Sequence, residues 1–151
     1  TLVNRGVLFM RRGLDARALL DFDDAAALDP ASSEAQVMRG IALVQATLMS
    51  TYPEVGTPSQ HAAFRRVADR VQLVRYGFDC YAYALLAAGY VDLVIEAGLQ
   101  SYDVAAPIAV INAAGGVVTD WQGGPAHDGG TILAAGSPEL HAEALALLKG
   151  D

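Results

Sequence analysis

The stretch Glu96-Ala-Gly-Leu-Gln-Ser-Tyr-Asp103-Val-Ala-Ala, followed by Asn112-Ala-Ala-Gly-Gly-Val-Val-Thr-Asp120-Trp-Gln-Gly-Gly-Pro125, decides how this chain folds. The apolar run over 91–95 that leads into Glu96 reads as a buried strand, which puts Glu96 at its C-terminal end. Residues 102–114 follow as a helix stopped by Gly115-Gly116, and a short strand over 117–120 takes over, with Asp120 at its end. Downstream, a loop over 121–130 leads to a strand over 131–135 and a last helix over 138–149. Upstream, 59–73 has helical spacing with Phe64, Val67, Val71 and Val74 on one face, and a turn falls at Tyr76-Gly77. Residues 79–88 are expected to form a buried helix closed by Gly89. Strands alternating with helices and glycine turns indicate an α/β layered fold over 49–151, with a domain boundary in the loop-like segment 47–58.

The first 48 residues are of another kind. Helices are expected near 2–12, 15–28 and 33–48, with Asp15 and Ser32 or Ser33 as N-caps and Pro30 stopping the second. Arg5-Gly6 recurs as Arg39-Gly40, a spacing of 34 residues that is a helical-repeat period. With Leu2, Phe9, Ala18, Phe22 and Ala25, the segment resembles one tetratricopeptide repeat and the start of a second. The other reading is an ordinary Ala-rich helical hairpin. In either case one and a half repeats form no deep concave surface, so any protein partner of this segment is expected to bind weakly.

Composition limits the function. At 53% apolar and 18% charged over 151 residues, the chain has the make-up of a soluble globular protein. No run of 18 apolar residues occurs, which excludes a transmembrane helix. The opening TLVNRGVLFMRRG carries Arg5, Arg11 and Arg12 and no initial Met, so it reads as a truncated start rather than a secretory signal. The single cysteine, Cys80, forms no internal disulfide and is expected in the core, which favours a reducing, cytoplasmic setting. His61, His127 and His141 lack ligand spacing and are expected at the surface. A net charge of −7 argues against a nucleic-acid reader. Residues 49–151 hold five bases against eleven acids, so a phosphorylated substrate there requires divalent cations to offset the repulsion.

The quoted stretch resembles the C-terminal half of the inositol monophosphatase family, marked by an aromatic-Asp-x-Ala-Ala helix start, here Tyr102-Asp103-Val-Ala-Ala, and an Ala-Gly-Gly segment before a strand ending in Asp. The segment Arg75-Tyr-Gly-Phe-Asp79-Cys-Tyr-Ala-Tyr83 is most similar to the histidinol-phosphatase branch, where a second glycine usually precedes the aspartate. The resemblance covers roughly 47–149. It implies magnesium-dependent hydrolysis of a small phosphate monoester, and it implies roles for three acids. Asp103 is the catalytic magnesium ligand, Glu96 accepts hydrogen bonds from substrate hydroxyls or amines, and Asp79 lies beside the substrate, where it faces a cationic group. Physical chemistry is consistent with the first of these, since a carboxylate at a helix start is the hard oxygen ligand that magnesium prefers.

Each acid also has a plain structural reading. Asp103 and Asp79 are positioned as N-caps, and Glu96 as a solvated acid at a strand end. The sequence also departs from the family. The glutamate and DPxDGT segment of the family's first half do not occur here, so this chain alone is expected to be inactive or nearly so unless another chain supplies those carboxylates. Phe78 stands where the branch has glycine and is expected to crowd the substrate pocket. The competing expectations are a non-catalytic helical-repeat interaction module and a truncated or recombined chain without activity. Apolar surface left bare on the α/β part is expected to drive homo-oligomer formation.

Overall fold

The computed structural model describes residues 43–150. The expected tetratricopeptide-like hairpin therefore lies outside the described residues. Residues 46–151 form the second of the two units into which the chain divides.

The second unit contains nine elements in order: β1 (Thr47–Ser50), α1 (Pro58–Ala68), β2 (Leu73–Tyr76), α2 (Cys80–Ala87), β3 (Leu93–Gln100), α3 (Ser101–Ala113), β4 (Val117–Thr119), β5 (Gly129–Ala135) and α4 (Pro138–Lys149). The strands form one mixed sheet in the order β2-β1-β3-β5-β4. β1 is parallel to both β2 and β3, while β5 is antiparallel to β3 and β4.

Both faces of this sheet are covered. On one, Met49, Val94, Ile132 and Ala134 pack with Ala82, Tyr83 and Leu86 of α2 and with Val104 and Ile111 of α3. The alternate residues Leu48, Leu93, Ile95 and Leu133 are fully buried as well. On their side α4 packs on β5 and α1 on α4, with the Phe64 ring 6.5 Å from that of Tyr76. Each fully buried side chain of this size contributes about 2 kcal/mol.

Two strands differ from the sequence reading. Residues 47–48, expected to end a helix, begin β1, and residues 73–76, divided between a helix end and a turn, form β2. β1 is central and buried, so it shows no alternation, and a four-residue apolar run carries no period that separates it from a helix. The third difference matters for function: β3 runs on to Gln100, so Glu96 lies within the strand and not at its end.

Local chemistry sets the helix starts. Thr57 and Gln60 form a reciprocal capping box at α1, with Pro58 in the first turn. Gln100 and Asp103 do the same at α3. Pro107 inside α3 has no N–H to offer the Asp103 carbonyl four residues back. Among the described residues no helix is long and apolar enough to cross a membrane.

Candidate active site

The site arises because β1 is short. β1 pairs with β3 only at Leu48↔Leu93 and Met49↔Val94, while β5 follows β3 as far as Gln100↔Gly129. Past Ser50 the chain leaves the sheet through Thr51-Tyr52-Pro53, and the edge of β3 from Glu96 to Leu99 loses its parallel neighbour. The resulting notch opens beyond the carboxyl end of a parallel strand, the position where α/β sheets bind ligands. It is a cleft of about 290 Å³ lined on one side by Ser50 to Gly56 (except Pro53) and on the other by Glu96 to Leu99, with Asp79 and Asp103 at its rim. Gly98, at φ 84, sits at a register shift between Ala97 and Leu99. Gly56 closes the wall, and a Cβ on it would collide with Gln60 Oε1 and stand 2.9 Å from Ala97 Cβ.

All three acids singled out in the sequence line this cleft, and Glu54 joins them. Among the described residues no lysine, arginine or histidine lines it.

Glu96 is only 4% exposed, which rules out the solvated strand-end acid. Its Oε1 accepts from the Thr51 backbone N–H at 3.0 Å and from the Thr51 hydroxyl, and its Oε2 accepts from the Tyr83 hydroxyl at 2.6 Å. Three donors allow a carboxylate to be buried here, and a lone-pair direction on Oε2 is left over. Burial first, and the Glu96 carboxylate second, push the Tyr83 phenol well above its ordinary value, so it stays protonated and donating. Sequence reasoning found neither Thr51 nor Tyr83. Tyr83 carried one available signal, its place one helical turn after Asp79.

Asp103 is half-buried at the third position of α3. Its Oδ2 accepts from the Gln100 N–H at 2.8 Å. The N-cap is therefore Gln100 and not Asp103, which reaches back to the cap with one oxygen, and no hydrogen bond engages Oδ1. Asp79 occupies the N-cap position of α2, but its side chain caps nothing. The Tyr81 N–H donates to the Phe78 carbonyl at 3.0 Å, and Asp79 holds φ 47 and ψ −138 in the turn between them. Those angles are near the first central position of a type II′ turn, which favours glycine. Among the described residues Asp79 is the one non-glycine with positive φ.

Several expectations are corrected. Phe78 does not crowd the cleft; it is absent from the lining, and its ring stacks on Tyr81 with centroids 6.5 Å apart. Cys80 is exposed rather than in the core, because the buried stripe of α2 falls on Ala82, Tyr83 and Leu86. His141 is buried, with Nε2 2.8 Å from the Thr119 hydroxyl, and burial pushes its imidazole below the ordinary value. Only His127 is at the surface as expected; His61 is half-buried. Asp120 does follow a strand, but its Oδ1 also holds the next loop by accepting from the N–H groups of Gln122 and Gly124 at 2.8 and 2.7 Å.

The pattern of the inositol monophosphatase family matches residues 31–150. The chain belongs to the inositol monophosphatase family. It is 43% identical over 116 residues to the bifunctional phosphatase IMPL2 of Arabidopsis thaliana, covering 71% of this chain and 34% of that one. It is 38% identical over 89 residues to the inositol-1-monophosphatase ImpA of Mycolicibacterium smegmatis, covering 58% of this chain and 31% of that one. A solved inositol monophosphatase from Zymomonas mobilis superposes with a TM-score of 0.68 at 35% identity, over 71% of this chain and 43% of that one. The chain thus spans well under half the length of these relatives.

Members of this family are generally metal-dependent phosphatases, and the cleft can be tested against such an ion. Its donors are carboxylate oxygens, the right kind for a hard divalent cation. Among the described residues, however, no group of three His, Cys, Asp or Glu side chains converges on one point. The donor set therefore fits in kind and amounts to part of a coordination shell.

Proposed function

We propose that this chain forms the substrate wall and part of the metal wall of a magnesium-dependent phosphomonoesterase acting on a small phosphate monoester. The observation that carries this reading is that Asp79, Glu96 and Asp103 line one cleft in which, among the described residues, no basic side chain stands. Such a cleft repels a phosphate unless a cation stands between them.

Asp103 would hold the ion through Oδ1, with its other oxygen fixed to the start of α3. Magnesium, when bound, neutralises phosphate oxygens and activates water for in-line attack. Glu96, clamped by Thr51 and Tyr83, would accept a hydrogen bond from a substrate hydroxyl or amine and so orient the alcohol part. Asp79, exposed and uncapped, would pair with a positive group on that alcohol. The uncapped Asp79 in the cleft lining supports the histidinol-phosphate-like reading over an inositol-phosphate-like one, as does the similarity of Arg75 to Tyr83 to that branch.

The α3 helix leaves Tyr102 78% and Val110 54% exposed, and α2 leaves Tyr81 59% exposed. This bare surface supports the homo-oligomer reading. The lone exposed Cys80 is in keeping with a reducing compartment such as the cytoplasm.

The experiment is a calorimetric titration of magnesium into the chain in the presence of inorganic phosphate. Saturable binding weakened at least tenfold by Asp103→Asn is the expected result. Identical isotherms for the two proteins would overturn the assignment of Asp103.

A further inference from the structure

We propose that Tyr83 is a positioning residue that fixes the spacing between Asp79 and Glu96, and through that spacing makes the cleft prefer phosphate monoesters carrying a cationic group over neutral polyol phosphates. This rests on the function proposed above.

The geometry is specific. Asp79 begins α2 from a strained backbone conformation, and its side chain makes no capping hydrogen bond, so its own side chain does not hold the start of the helix in place. Tyr83 lies four residues on, in the first turn of α2, at 3% exposure. Its hydroxyl reaches across to Glu96 Oε2 at 2.6 Å. One hydrogen bond thus ties the first turn of α2, which carries Asp79, to the stretch of β3 that carries Glu96. The other oxygen of Glu96 is held by Thr51, so the carboxylate cannot turn to follow a shift of α2.

The pair Asp79 and Glu96 is what separates a cationic alcohol from a neutral one. Glu96 accepts from either, whereas only a positive group gains from Asp79. Loosening the link lets Asp79 drift from the orientation that Glu96 imposes on the substrate. The cationic substrate then loses affinity and the neutral one is little affected. A tyrosine that served only to satisfy the buried Glu96 would, when removed, weaken both substrates alike.

The test measures by calorimetry the dissociation constants of histidinol phosphate and of inositol 1-phosphate with magnesium, using the unmodified chain, Tyr83→Phe and Leu86→Ala. Leu86 is buried in the same helix and lies outside the cleft lining, so its truncation reports loss of packing alone. The expected result is a fall of roughly tenfold in the cationic-to-neutral affinity ratio for Tyr83→Phe, the size expected for one lost hydrogen bond to a charged group. The change should appear in the affinity for the cationic ester, with that for the neutral ester within about threefold and the Leu86→Ala ratio unchanged. An unchanged ratio in Tyr83→Phe, or an equal change in Leu86→Ala, would overturn the proposal. No magnesium-dependent binding of either ester by the unmodified chain would overturn the underlying functional reading and this inference with it, whereas binding with an unchanged ratio removes this inference alone.

Discussion

Tyr83 donates to Glu96 Oε2 at 2.6 Å across the cleft edge, and both residues are almost completely buried. A buried carboxylate survives only with its donors, and the donors in turn require it. Glu96→Ala removes the acceptor shared by the Tyr83 hydroxyl, the Thr51 hydroxyl and the Thr51 N–H. Stability is expected to fall by about 3 kcal/mol, because buried donors are left unsatisfied and a cavity opens. Glu96→Gln keeps an acceptor at one end and should lose roughly half as much. Urea denaturation midpoints check the order. Equal losses would mean that shape, rather than hydrogen bonding, is what matters at this position.

Asp79 gives the opposite sign. Its φ of 47 suits glycine, and a non-glycine residue in such a conformation costs of order 1 kcal/mol or more. Asp79→Gly should therefore raise the urea midpoint, by an amount near 1 kcal/mol after the added flexibility of the unfolded chain is counted. The same change should lower activity toward a cationic substrate at least tenfold. A variant both less stable and fully active would show that the strained turn serves neither purpose.

Much of this site was legible in the sequence. Asp103 of the Tyr102-Asp103-Val-Ala-Ala motif and Glu96 line the cleft, and Asp79 lines it with them, because each is placed by local signals: a capping box, an apolar run and a turn. What was missed depends on long-range pairing. Nothing local in Thr47-Leu-Met-Ser50 announces a central strand, and without β1 the burial of Glu96 and its contact with Thr51 are invisible. Cys80 was misplaced because a short helix with apolar residues all round has no polar face to indicate which side is buried. His141 was misplaced because its partner, Thr119, lies on a strand 22 residues away.

His141 supplies a pH dependence. Burial lowers its folded-state pKa below the ordinary 6.5, so the unfolded chain binds the proton more readily. Its neutral form contributes stability that is fully present above about pH 6.5 and is lost as pH falls toward the folded value. His141→Gln can keep the contact with the Thr119 hydroxyl while removing the titration. Between pH 7.5 and 5.5 the urea midpoint of the unmodified chain should fall more than that of the variant. Parallel pH profiles for the two would contradict this.

Gly56 tests the cleft wall. Its φ of 66 and the close approach of Gln60 Oε1 to a Cβ at this position leave no room for alanine. Gly56→Ala should destabilise by about 2 kcal/mol and disturb the capping box of α1, since Gln60 must move. Loss of helical circular dichroism at a lower temperature than in the unmodified chain is the expected readout. An unchanged melting curve would show that the loop over 51–56 adjusts freely.

The most direct test of the central claim is calorimetric binding of histidinol phosphate and inositol 1-phosphate, with and without magnesium, by the chain and by Asp103→Asn. Binding that requires magnesium and weakens at least tenfold in the variant is the predicted result. Binding that is indifferent to the ion or to the substitution would contradict the assignment of the cleft, and so would its absence from both proteins.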